Sequence, residues 1–147
     1  MAKSRMAEVN SEIEVTAICE ILTTENCEKI VKNHDIVIDA VDNIAARKIL
    51  AKSCSAAGIP MIHGAIAGWY GQISTIMPGD ETISILYSHD EEKGIEEEMG
   101  NPSFTPALVA SIETAEALKV LLGRGELLSK KVLSIDLLNQ EYEIFEL

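Results

Sequence analysis

Basic residues are scarce in this sequence. Lys and Arg number 12 against 24 Asp and Glu, a formal charge of -12 over 147 residues. A general binder of nucleic acid or of an anionic membrane needs a basic face, and this balance argues against either partner. Long apolar runs are also missing. None reaches the ~18 residues of a membrane span, and the opening Met1-Ala2-Lys3-Ser4-Arg5-Met6-Ala7-Glu8 has no apolar signal-peptide core. Cysteine is sparse: Cys19, Cys27 and Cys54 stand far apart with no C-x-x-C pair. Neither a zinc knuckle nor a thioredoxin-like motif is supported. Such free thiols fit a reducing cytoplasm. Each reads as a small buried hydrophobe, with Cys27, the most polar in context, as the exception if there is one. There is no internal repeat and no linker rich in Pro, Gly or Ser. What is present is 47% hydrophobic and 24% charged residues, which argues against disorder and for one domain, or part of a larger one, with a real core.

The pattern along the chain alternates. Residues 13–19 alternate apolar and polar and predict a strand. Thr23-Thr24-Glu25 opens a helix to about Asn33. Asp35 to Ala40 is a β-branched run, as in a strand covered on both faces. Asp42 or Asn43 caps a long helix through Ala57, stopped by Gly58 and Pro60. Pro60 to Ile66 reads as a buried strand. Gly71 to Met77 and Thr82 to Tyr87 read as two strands joined in a hairpin at Pro78-Gly79-Asp80. Ser88 to Gly100 is acidic and irregular, a mobile loop whose Asp90, Glu91, Glu92, Glu96, Glu97 and Glu98 form a solvated surface. Thr105, as cap, and Pro106 begin a second long helix with a stripe of Leu108, Ile112, Ala115, Leu118 and Leu122, ended by Gly123. Residues 131–138 and 141–146 form a last pair of strands. Strand and helix alternating in this way predict an α/β parallel sheet with antiparallel strands added toward the C-terminus.

Open α/β sheets bind ligands at the carboxyl ends of their parallel strands. Asp39, Asp42 and Asn43 fall there. A carboxylate at Asp42 can hold hydrated Mg²⁺ beside phosphates, and Asn43 serves as helix cap or ligand contact. Arg47, one helical turn on, either pairs with Asp39 or Asp42 or faces a phosphate. Helix capping plus a structural salt bridge is the plainer alternative. A second feature is His63-Gly64-Ala65-Ile66-Ala67-Gly68-Trp69-Tyr70-Gly71-Gln72, with three glycines in eight residues after a buried strand. It is either a tight connection or a segment whose backbone approaches a substrate. His63, inside an apolar strand, reads as a hydrogen-bonded core residue. A third feature is the glycine- and proline-rich segment from Met99 to Pro106, ahead of a helix N-terminus that can bind an anion.

Together these residues resemble the ThiF/MoeB/HesA family, relatives of the ubiquitin-activating enzymes. Val9-Asn10 and Ile13 to Val15 resemble the family's I-N-P step and following strand, with Ser11 in place of proline. His34 to Arg47 resembles D-[IV]-V-[IV]-D-x-x-D-N-x-x-x-R. Gly58-Ile59-Pro60, His63-Gly64-Ala65 and Gly68 to Gln72 resemble its G-I-P, x-G-A and G-x-x-G-Q steps. Pro78-Gly79 follows, and Pro106 to Glu126 is similar to its late helix. The resemblance spans essentially the whole chain. It implies a Rossmann-like domain, usually dimeric. Such a domain binds Mg-ATP and adenylates the C-terminal glycine of a ubiquitin-like or sulfur-carrier protein. It places the metal- and ATP-associated aspartate on Asp42, with Asn43 and Arg47 beside the cofactor. The protein tail would lie along Gly64, Ala65, Gly68, Gly71 and Gln72.

The departures are as informative. Within these residues there is no glycine-rich phosphate loop, no ribose-binding acid, no pair of C-x-x-C zinc motifs and no crossover-loop cysteine. Residues 1–147 therefore match the C-terminal portion of such a domain, beginning in the helix before its third strand. Residues 13–19 are expected to pair directly with 35–40, unless another chain fills the gap; a homo-oligomer, or a chain supplying the missing half, is the expected assembly. The leading reading is the C-terminal half of an adenylating enzyme, inactive alone. The alternative is a non-catalytic protein-binding module that keeps the carrier-tail groove. A fragment of a dinucleotide-dependent oxidoreductase fits less well, because no nicotinamide site is suggested.

Overall fold

The computed structural model describes residues 2–88 and 100–147. Of the expected acidic loop, residues 89–99, which carry all six carboxylates, lie outside the described residues. The chain runs α1 (Ala2–Val9), α2 (Thr24–Val31), β1 (Val37–Asp39), α3 (Ile44–Ala57), β2 (Met61–Ala67), β3 (Tyr70–Ile76), α4 (Thr82–Leu86), α5 (Phe104–Leu122), β4 (Lys131–Asp136) and β5 (Glu141–Glu146). The five strands form one sheet in the order β1-β2-β3-β4-β5. Only β1 and β2 are parallel, with Asp39 opposite His63. The remaining pairings are antiparallel.

Local chemistry sets the boundaries. Thr23 and Asn26 form a reciprocal capping box at the start of α2. The Asn43 side chain accepts from Ala46 N at 2.8 Å and caps α3. Gly58, at φ 70°, closes α3 in the left-handed conformation that glycine adopts without steric cost. Side chains on β2 alternate between the sheet's two faces. Met61 packs with Cys27, Leu50 and Cys54 beneath α2 and α3, while Ile62 packs with Ile73, Val109 and Ala117 beneath α5. The result is a sheet whose central strands lie between α2 and α3 on one face and α5 on the other, while β5 is exposed along its length.

Close packing reaches the backbone at Gly71. A Cβ there would lie 2.7 Å from Val109 Cγ2. Gly71→Ala is expected to cost about 1–3 kcal/mol by overpacking, read as a lower urea midpoint. Val109→Ala in the same chain should return part of it.

Five expectations are corrected. Residues 13–19 are not a strand. They run irregularly, with Ile13 and Ile18 about half exposed, and among the described residues the strand beside β1 is β2, not this segment. Their alternation lacks a partner that would make it a ladder. Residues 82–86 are the helix α4, not a strand. Asp80 Oδ1 accepts from Thr82 N at 2.8 Å and Thr82 Oγ1 at 2.6 Å, a turn that starts a helix. Ile83 and Tyr87, one turn apart, pack against the α3 core, and Ile85 is left exposed. The hairpin is instead β2–β3, joined at Gly68-Trp69. Thr105 does not cap α5. It lies inside the helix and donates to Gly68 O at 2.7 Å. The buried stripe of α5 is also rotated. Val109, Glu113, Glu116 and Ala117 face inward, Leu108 and Ile112 of the expected stripe pack at the edge of that core, and Leu118 and Leu122 are exposed. Periodicity misplaced the stripe because two of its members are glutamates. Finally, Cys27 and Cys54 are buried, as small hydrophobes are, and the exception is the exposed Cys19 rather than Cys27.

Candidate functional site

The parallel pair ends at Asp39, which is 1% exposed. Arg47 Nε donates to Asp39 Oδ2 at 2.7 Å, and His63 Nδ1 donates to the same oxygen at 2.8 Å. With its Nδ1 proton committed to Asp39, His63 presents a bare Nε2. Tyr87 OH lies 3.2 Å from that nitrogen and donates to it. The tyrosine oxygen accepts from Gln72 Nε2 at 2.8 Å and Arg47 Nη1 at 3.2 Å. Arg47 Nη2 also donates to Val41 O at 3.0 Å. This network joins β1, β2, β3, α3 and the end of α4, and every group in it has a partner, as buried polar groups require.

Its electrostatics are consistent with that geometry. Burial opposes ionisation of Asp39, but the hydrogen bond from His63 and the Arg47 charge overcome it and hold the carboxyl below its usual range. Burial pushes the His63 pKa down, and the Asp39 contacts do not fully offset it, so the imidazole is neutral. His63 is thus the hydrogen-bonded core residue expected. Burial likewise raises the pKa of Tyr87.

Two cavities flank this strand end. The larger, about 340 Å³, lies on the α3 side against Asn43, Arg47, Gly71, Gln72 and Tyr87. The smaller, about 250 Å³, lies on the α5 side against Asp39, Gly64, Pro106, Ala110 and Glu113. Asp42, Arg47, Ala65 and Ile66 border both. Asp42 and Asn43 are exposed, and Asn43 Nδ2 donates to Asp42 Oδ1 at 3.1 Å. Of the residues singled out from sequence, Asp42, Asn43, Arg47, Ala65, Gly71 and Gln72 therefore meet at the larger cavity. Gly64 borders only the smaller one. Gly68 stands apart in the β2–β3 turn, where its N–H bonds Gly100 O at 3.0 Å. Arg47 pairs with Asp39 rather than Asp42. The network partner Tyr87 and the buried Glu113 were not found by motif. Tyr87 joins through contacts 24 to 40 residues apart in sequence, and Glu113 stood in a stripe read by its apolar members.

Among the described residues, no three His, Cys, Asp or Glu side chains converge on one point. A divalent cation at Asp42 would therefore draw its other ligands from phosphates and water. That suits Mg²⁺, which is commonly held by one or two carboxylates plus substrate phosphates. Among the described residues, too, no helix is long and apolar enough to cross a membrane.

A helix-covered α/β sheet with an exposed carboxylate beside a cavity at the carboxyl end of its parallel strands is the ligand-binding arrangement of open α/β folds. The comparisons with known proteins narrow that class. All of residues 1–147 match the ThiF family, and the chain belongs to it. Among relatives, it is 34% identical over 146 residues to a probable molybdopterin-synthase adenylyltransferase of Gracilaria tenuistipitata var. liui, covering 97% of this chain and 41% of that protein. It is 30% identical over 138 residues to the SAMP-activating enzyme E1 of Haloferax volcanii, covering 92% of this chain and 51% of that protein. The chain thus spans about half or less of the length of these relatives. Among solved structures, PaaA matches 99% of the chain and 53% of its own, with a TM-score of 0.73 at 15% identity. The structure of E. coli MccB with ATP matches 99% and 45%, with a TM-score of 0.69 at 20% identity. These two likenesses establish the fold.

Proposed function

We propose that this chain forms the C-terminal portion of an adenylating domain. In this reading Mg-ATP and the C-terminal tail of a ubiquitin-like or sulfur-carrier protein meet at Asp42. The observation that carries it is the position of Asp42: an exposed carboxylate at the end of the parallel pair, bordering both cavities at once. The larger cavity falls in the ~300–1,000 Å³ range of small-molecule sites and is read as the nucleotide side.

In the reaction proposed, an oxygen of the tail's terminal carboxylate attacks the α-phosphorus of ATP. The bond to the bridging oxygen breaks, pyrophosphate leaves, and an acyl adenylate remains. Bound at Asp42, Mg²⁺ would supply charge neutralisation at the phosphates. Asp42 and Asn43 orient that side of the site. Arg47 acts as a positioning residue, since its guanidinium holds Asp39, Val41 O and Tyr87 in place. The phosphate-binding loop would come from residues outside these 147, on the same or another chain. The chain alone is therefore expected to release no pyrophosphate from ATP and a diglycine-ended peptide. Release at a rate that depends on the peptide would contradict this half-site assignment.

The test is a titration of isotope-labelled chain with Mg-ATP, followed by amide NMR. Shifts should concentrate at Asp42, Asn43, Gly71 and Gln72. No movement at any of these at millimolar Mg-ATP would overturn the nucleotide reading. A second reading, a protein-binding module without catalysis, draws on the engagement of Arg47 by Asp39, which occupies the basic group nearest Asp42. It predicts peptide binding with no nucleotide response.

A further inference from the structure

Helix α5 buries two glutamates on one face, and their surroundings differ. Glu116 accepts from Thr75 Oγ1 at 2.6 Å and from Leu128 N at 2.9 Å, and it pairs with Lys119. Glu113, one turn earlier, is 6% exposed. Its Oε1 is sealed from solvent and has no hydrogen-bond partner among the described residues. A carboxylate held there is costly, because an ionised group taken from water needs donors or a counter-ion.

The neighbours supply little of either. β2 and β3, on which α5 packs, turn Ile62, Gly64, Gly71, Ile73 and Thr75 toward it, none of them titratable. His63 is directed instead to Asp39 and Tyr87. Asp39 on β1 repels the Glu113 carboxylate, and Arg47 on α3 attracts it. Arg47, however, is bonded to Asp39, Tyr87 and Val41 O. On α5 itself the nearest charges are the paired Glu116 and Lys119, and Asp42 stands across the smaller cavity's wall. Burial and the charge of Asp39 accordingly push the Glu113 pKa up to about 7.

The buried position is tight, and the space beside it is open. The carboxyl lies against Gly64, where an added Cβ would be 2.4 Å from Glu113 Cδ. Glu113 also borders the smaller cavity, about 250 Å³, several times the ~30 Å³ that one water occupies. A change of side-chain rotamer carries a carboxyl from one place to the other without moving the backbone.

We infer that Glu113 is a pH-sensitive switch: protonated, its carboxyl lies over Gly64, and ionised, it turns out into the smaller cavity, where water solvates it. The outward position brings a second negative charge to the wall that Asp42 shares. The switch is a property of the chain by itself and needs no ligand.

The test is NMR on the full 147-residue chain, titrated from about pH 5 to about pH 9. The Glu113 side-chain carboxyl ¹³C resonance should titrate with a midpoint of about 7. Cross-relaxation between Glu113 Hγ and Gly64 Hα should be present at the acid end and lost at the alkaline end. Glu113→Gln cannot ionise and should keep that contact throughout. Gly64→Ala should do the converse. Gly64 is not among the positive-φ glycines, so alanine suits the backbone, but its Cβ takes the carboxyl's place. The Glu113 midpoint should then fall back toward 4.5. A native carboxyl that titrates near 4.5 would overturn the switch. So would one that titrates near neutral pH while the Gly64 contact persists, or loss of the contact in Glu113→Gln as well. The native-chain measurements decide the matter even if Gly64→Ala does not fold.

Discussion

Replacing Asp39 with alanine should unfold much of this protein's stability, by about 3–5 kcal/mol. That is the usual loss when one partner of a buried ion pair is removed, and it is a large share of the ~5–15 kcal/mol that holds a domain together. Arg47, 3% exposed, would keep its charge without its counter-ion. His63 would lose the acceptor that fixes its tautomer. Because the Asp39 carboxyl titrates below its ordinary value, its contribution is present above the unfolded-state pKa and is lost as pH falls through the folded one. Urea unfolding at pH 7 measures the effect. Asp39→Leu combined with Arg47→Met should recover most of the loss, since apolar packing can replace a buried pair. A single Asp39→Ala variant within about 0.5 kcal/mol of the native chain would show that the network is not structural.

Glu113→Gln should do the opposite and stabilise the chain at pH 8. Burial and the negative charge of Asp39 raise the Glu113 pKa from 4.5 to about 7, with Arg47 partly opposing them. The sign follows from proton counting. Between these values the folded state holds a proton that the unfolded state has released, so stability falls as pH rises through this window. The full loss above pH 7 is roughly 3 kcal/mol at 1.36 kcal/mol per pKa unit. Glutamine cannot ionise and escapes it. The variant should match the native chain at pH 4.5 and exceed it by up to about 3 kcal/mol at pH 8, measured by urea midpoints at the two pH values. Equal stability at both would mean the carboxyl is not desolvated as the structure places it.

The two predictions also mark the limit of what could be read from the sequence. Elements with local signals were legible: Thr23 as a cap, the cap of α3 as far as Asp42 or Asn43, Gly58 and Gly123 as stops, and the buried β-branched runs at β1 and β2. The placement of Asp42 at a strand end followed from those. Features set by distant partners were not. Residues 13–19 have the alternation of a strand but nothing to pair with among the described residues, and Ile83 and Tyr87 alternate like a strand while packing as a helix. The Asp39 network joins residues up to 40 positions apart, and no local pattern shows it. Glu113 and Glu116 were hidden because a charged residue is assigned to solvent by default, and only the packing of α5 on β2 and β3 shows them inside.

The account's central claim is that Asp42 is where a Mg-nucleotide meets this chain. The direct measurement is calorimetric titration of the chain with Mg-ATP beside Asp42→Ala, with and without Mg²⁺. The account predicts saturable, Mg²⁺-dependent binding to the native chain, lost in Asp42→Ala while the variant stays folded, since Asp42 is exposed and outside the buried network. The same heats from both chains, or none from either, would contradict it.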